Sequence, residues 1–167
     1  MDINEEIILS WISECKKMFH INNIDYGQFH NDIDILTIDL KNKIVWDCEV
    51  KIRTGTTKIA DTDNKTNGFK KFVSTFNSAL RKDKISQYIP SDFVIQRKFI
   101  TTKSLLGTSC ENQSKWIKKF NDETIDILFV EDIINELNSY ANNLNYSDNS
   151  IIQTLRLLNL GTKSNRN

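Results

Sequence analysis

The chain predicts an α/β fold, on three observations. Amphipathic helical stripes alternate along it with short apolar strands, two of those strands lie close enough to form a hairpin, and the later strands again alternate with helices. At 167 residues, with one Pro, five Gly, no Pro/Ser-rich stretch and no internal repeat, it reads as a single domain over 1–161, long enough to bury a core. Residues 162–167 form a polar tail that is expected to be disordered.

The first element is a helix over Asp2–Phe19. Asp2 serves as its N-cap, Glu5 completes a capping box, and Ile8, Ile12, Cys15 and Phe19 recur at helical spacing. Ile24–Phe29 fits a first edge strand. Ile33–Leu40 and Ile44–Arg53 then form a hairpin about the turn Lys41-Asn42-Lys43, followed by a polar loop over Thr54–Lys65. Phe69, Phe72, Val73, Phe76 and Leu80 mark a second helix, with Lys70, Lys71, Arg81 and Lys82 off that stripe. Phe93–Thr101 reads as a strand, Ser114–Phe120 as a short helix and Ile125–Val130 as a buried strand. Two helices follow. One carries Ile133, Ile134, Leu137 and Tyr140; the other, capped by Ser147 or Asp148, carries Ile151, Ile152, Leu155 and Leu158 before Gly161.

Composition narrows the classes. No apolar run reaches the ~18 residues of a membrane span, and the acidic start lacks the basic region of a signal peptide, so an intracellular, cytoplasmic protein is expected. Cys15, Cys48 and Cys110 have neither disulfide-framework nor zinc-ligand spacing. Net charge is zero, which argues against a generic DNA-coating protein. The charge is nevertheless uneven: from Lys51 to Lys119 there are 15 Lys/Arg against 5 Asp/Glu. A nucleic-acid surface would lie in that segment, on Arg53, Lys70, Lys71, Arg81 and Lys82, unless these are ordinary solvated helix faces.

The chemistry concentrates in the hairpin, where Asp34 sits in Asn31–Asp39 and Glu49-Val50-Lys51 closes Ile44–Arg53. Side chains alternate along a strand, so Glu49 and Lys51 share a face and Asp34 can oppose them. Two converging carboxylates bind a hard cation such as Mg²⁺, with Mn²⁺ a natural substitute, and an adjacent Lys can orient water or stabilise a phosphate. Asp34 lies in an otherwise apolar run, where an unpaired carboxylate is costly unless a cation compensates it. Asp32 and Asp47 are expected to be solvated, His20 and His30 to be structural or solvent-exposed, and Cys48 and Trp46 to face the core.

These residues, in this order of elements, resemble the PD-(D/E)XK nuclease superfamily, whose restriction-endonuclease-like fold is shared by Holliday-junction resolvases and Mrr-type restriction enzymes. The resemblance covers residues 2 to 137, and Phe99-Ile100-Thr101-Thr102 with Ile125–Val130 looks like the end of Mrr-type domains. It implies an αβββαβ core with a mixed central sheet flanked by helices. It also implies Asp34, Glu49 and the Val50 backbone carbonyl as metal ligands, Lys51 as the catalytic lysine, and hydrolysis to 5′-phosphate and 3′-hydroxyl ends. Glu5 is either a further ligand from the first helix or only a capping residue. The function expected is a metal-dependent endodeoxyribonuclease acting on DNA, as a homodimer or with a partner subunit. The alternative is a nuclease fold that binds nucleic acid or a partner without cutting.

Overall fold

The computed structural model describes residues 3–27, 31–53, 55, 57–61 and 68–164, with side chains described as far as Leu160. The expected Asp2 cap, the end of the first strand at Phe29, His30 and the last three residues of the tail lie outside the described residues. Five strands form one mixed sheet in sequence order: β1 (Phe19–Tyr26), β2 (Asn31–Asp39), β3 (Ile44–Lys51), β4 (Val94–Thr101) and β5 (Ile125–Phe129). The first three make an antiparallel meander, whereas β4 and β5 run parallel to β3. The hairpin turn forms where expected, with the Asp39 carboxylate accepting the Asn42 backbone N–H at 2.9 Å and Lys43 taking a left-handed conformation.

Parallel pairs need crossovers, and these supply the helices. Between β3 and β4 lie α2 (Phe69–Asn77) and α3 (Ala79–Ser86); between β4 and β5 lie α4 (Lys103–Leu106) and α5 (Cys110–Asp122). On the opposite face, α1 (Ile3–Trp11), α6 (Val130–Asn142) and α7 (Ser150–Ser164) pack Ile8, Trp11, Ile133, Leu137 and Ile152 against Ile35, Cys48 and Ile100. The face carrying α2, α3 and α5 has two apolar groups, one around Phe72, Phe76, Phe99 and Phe120 and one around Ile24, Leu36, Val45 and Ile85.

Several boundaries differ from expectation. The first helix becomes a π-helical turn at Ile12–Lys16 and ends at Lys17, whose φ of 56° is left-handed. Met18 then enters the core and exposed Phe19 opens β1, so Phe19 belongs to no helical stripe. The cap of α7 is Asn149, whose carboxamide oxygen accepts the N–H groups of Ile151 and Ile152, rather than Ser147 or Asp148. That helix also continues to Ser164, so residues 162–164, expected to be disordered, are helical. Its apolar stripe is divided: Ile152 is buried, while Leu157, Leu158 and Leu160 are more than 60% exposed.

Candidate active site

The antiparallel ladder between β2 and β3 runs from Asp39↔Ile44 to Ile35↔Cys48 and stops there. Asp34 and Glu49 would be the next pair. Instead of a backbone bond, the Asp34 carboxylate takes over the pairing, its Oδ2 accepting the Val50 N–H at 2.6 Å. Beyond the end of the ladder, Asp34, Glu49 and Lys51 lie within electrostatic reach of one another at the carboxyl end of β3. Cys48 and Trp46 point to the other face, Cys48 fully buried and Trp46 stacked on Trp11 with ring centroids 5.9 Å apart. The end of β3 is pinned by hydroxyls: Thr101 donates to the Lys51 carbonyl, while Thr102 and Ser104 donate to that of Arg53. The Thr-Thr pair ending β4 thus fixes the strand that carries the site.

Burial dominates the electrostatics. It pushes the Asp34 carboxyl up to about 6 against the opposing Val50 N–H, and the nearby charges of Asp32 and Glu5 add to the rise. Glu5 therefore lies within electrostatic reach of Asp34. Glu49 is driven up to about 8, again by burial first, with Arg81 opposing and Asp34 reinforcing. Lys51 is moved the other way, losing proton affinity through burial and the neighbouring Arg53.

Arg81 corrects the sequence reading most sharply. Expected on a basic, nucleic-acid-facing side, it is completely buried. Its guanidinium grips Asp47 through Nε at 3.0 Å and Nη2 at 2.5 Å, donates Nη1 to Glu49 Oε1, and reaches the carbonyls of Asp32 and Cys48 at 3.4 Å each. The cation also lies over the rings of Tyr26 and Phe76. Asp47, expected to be solvated, is buried by this pairing. The two ends of the Arg81–Glu49 pair pull against each other: burial favours a neutral Glu49, whereas the raised affinity of Arg81 for its proton, which overcomes its own burial, presupposes charged partners. The guanidinium is the end that stays charged, because Arg does not deprotonate in proteins.

The helix expected from Phe69 to Leu80 breaks at Ser78, whose ψ of 127° is not helical. The break shifts the phase, turning Leu80 outward and Arg81 inward with Ile85. The sequence does carry a signal for this, since Arg81, Ile85 and Ile89 are spaced four apart and the latter two are core residues. Lys70, Lys71, Lys82 and Arg53 are exposed, so these four can still form a basic surface.

Among the described residues, no group of three or more His, Cys, Asp or Glu side chains converges as a metal cage. Asp34 and Glu49 nonetheless suit a hard cation: both are carboxylates held largely out of water, and one oxygen on each has no hydrogen-bond donor among the described residues. No described helix is long and apolar enough to cross a membrane.

No protein-family model matches the chain, and no curated protein matches its sequence. Among solved structures it is similar to a protein of unknown function, AF1548, with a TM-score of 0.50 and 13% identity over 87% of this chain and 72% of that one. That likeness concerns the fold alone.

Proposed function

We propose that the chain is a metal-dependent endodeoxyribonuclease with a restriction-endonuclease-like core of the PD-(D/E)XK type. The observation that carries the reading is the interrupted β2–β3 ladder, at whose end stand two half-buried carboxylates with raised proton affinity and a lysine. The order of one helix, three antiparallel strands, helices and a parallel strand agrees with the αβββαβ core that the sequence resembles.

In this reading Asp34 and Glu49, with the Val50 carbonyl, would hold a divalent cation, and Glu5 stands near enough to contribute through its field. The bound ion, Mg²⁺ or Mn²⁺, would polarise a phosphoryl oxygen and acidify a water. Lys51 places its ammonium beside the scissile phosphate and stabilises the charge that grows as water oxygen bonds to phosphorus. The P–O3′ bond then breaks, leaving a 5′-phosphate; the attacking water gives up its proton to solvent, and the departing 3′ oxygen takes one from a solvent water to become the 3′-hydroxyl. Arg53, Lys70, Lys71 and Lys82 supply contacts to the DNA backbone.

A second reading has one observation in its favour: Arg81 already neutralises Glu49, as it would in a nuclease fold that binds without cutting. Incubating supercoiled plasmid with the protein in Mg²⁺ and in EDTA separates the two. The nuclease reading predicts nicked or linear DNA in Mg²⁺ only; duplex binding in both, with no cleavage in either, favours the binding module.

A further inference from the structure

Arg81 is a fully buried cation at the end of a helix-phase break, and it spends its whole donor fork on the floor of the site. Asp47 gives it both oxygens and Glu49 gives it Oε1, while the Asp32 and Cys48 carbonyls complete its shell. Asp34 meanwhile commits Oδ2 to the Val50 N–H. Beside the Val50 carbonyl, the carboxylate oxygens left without a donor are one on Asp34 and one on Glu49, a set that suits a single cation and lacks the flanking carboxylate a second would need. Sites that use two metals set them about 4 Å apart, bridged and flanked by carboxylates. Here the flanking carboxylate would be Asp47, and the guanidinium lies between Asp47 and Glu49.

Resting on the nuclease reading, the geometry points to Arg81 as a positioning residue that occupies, with its own charge, the place of a second cation, so that the site takes one divalent ion. A planar fork suits this role: it holds two carboxylates at fixed angles, which a lysine nitrogen on a flexible stem does not. Glu49 is thereby held by one oxygen, with the other left without a hydrogen-bond donor among the described residues. Asp47, in turn, acts on Glu49 through Arg81 as well as through its own charge.

The test counts ions rather than turnover. Titrating the full chain with Mn²⁺, read by electron paramagnetic resonance without nucleic acid, should give one bound ion per chain. Arg81→Gln frees Asp47 and Glu49 to form a second dianionic pair and should bind two. The paired variant D47N/R81Q removes the buried cation together with one of its counter-charges and so avoids an uncompensated Asp47. It should bind one ion, about tenfold more tightly than the wild type, because of the two opposite charges removed Arg81's is the one in direct contact with Glu49 and acts on it more strongly than Asp47's. A purely structural Arg81 would leave the number of bound ions at one in every variant. Two ions on the wild type, one ion on a folded R81Q, or unchanged affinity in D47N/R81Q would each overturn the assignment while leaving the nuclease reading standing. No Mn²⁺ on the wild type would overturn the metal site itself and the proposed function with it.

Discussion

Replacing Asp34 with Asn should stabilise the metal-free protein at neutral pH. The Asp34 carboxyl is raised from 3.8 to about 6, chiefly because burial penalises its charged form. An acid with raised folded affinity binds more protons folded than unfolded between those values, so its contribution to stability is complete below pH 3.8 and lost as pH rises through 6. Each tenfold difference in proton affinity is worth about 1.4 kcal/mol, which makes the loss about 3 kcal/mol above pH 6. Asn has no charge to bury, and its amide oxygen can still accept the Val50 N–H. The Asp34→Asn variant should therefore match the wild type near pH 3.5 and exceed it by about 3 kcal/mol at pH 8, or about 6–12 °C in melting temperature for a chain of this size. Differential scanning calorimetry in EDTA across this range checks it. A variant that melts at or below the wild-type temperature at pH 8, or a difference that does not grow with pH, would refute the claim that Asp34 is a charge held at a cost for binding.

Arg81→Met should destabilise the fold by about 3–5 kcal/mol in urea unfolding, because it strands Asp47 and Glu49, and the paired change D47N/R81M should recover part of the loss. Neutralising exposed Lys70, Lys71 and Lys82 together should lower the log–log salt slope of duplex binding by about 0.9 for every phosphate no longer neutralised, measured by fluorescence anisotropy; an unchanged slope would move the DNA surface to Lys115, Lys118 and Lys119. The exposed Leu157, Leu158 and Leu160 predict a homodimer of about twice the chain mass in light scattering, converted to monomer by Leu157→Lys with Leu160→Lys; a wild-type monomer would contradict this.

What is legible in the sequence follows the periodicities that set which way a side chain points. The alternation along Ile44–Arg53 is enough to put Glu49 and Lys51 on one face and Trp46 and Cys48 on the other, and the burial of Cys48 and stacking of Trp46 agree. Arg81 is harder to read by the same logic. Its spacing with Ile85 and Ile89 puts it on their stripe, but the stripe from Phe69 to Leu80 runs in another phase, and the switch between the two rests on a single non-helical ψ at Ser78. Asp47 misleads for a related reason, since an acid on a strand is solvated unless a partner from elsewhere in the chain covers it, and that partner is Arg81. At Lys17 the backbone turns left-handed and ends a pattern that, by residue type alone, continues through Phe19.

The central claim is that Asp34, Glu49 and Lys51 form one hydrolytic site, and single-turnover cleavage of an end-labelled DNA duplex in saturating Mg²⁺ tests it most directly. The wild type should cut. Asp34→Asn and Glu49→Gln should abolish cutting while remaining folded, and Lys51→Ala should slow it about 100-fold or more while retaining Mn²⁺ affinity. Cleavage by Asp34→Asn or Glu49→Gln at the wild-type rate, or a wild type that leaves the duplex intact, would contradict the account.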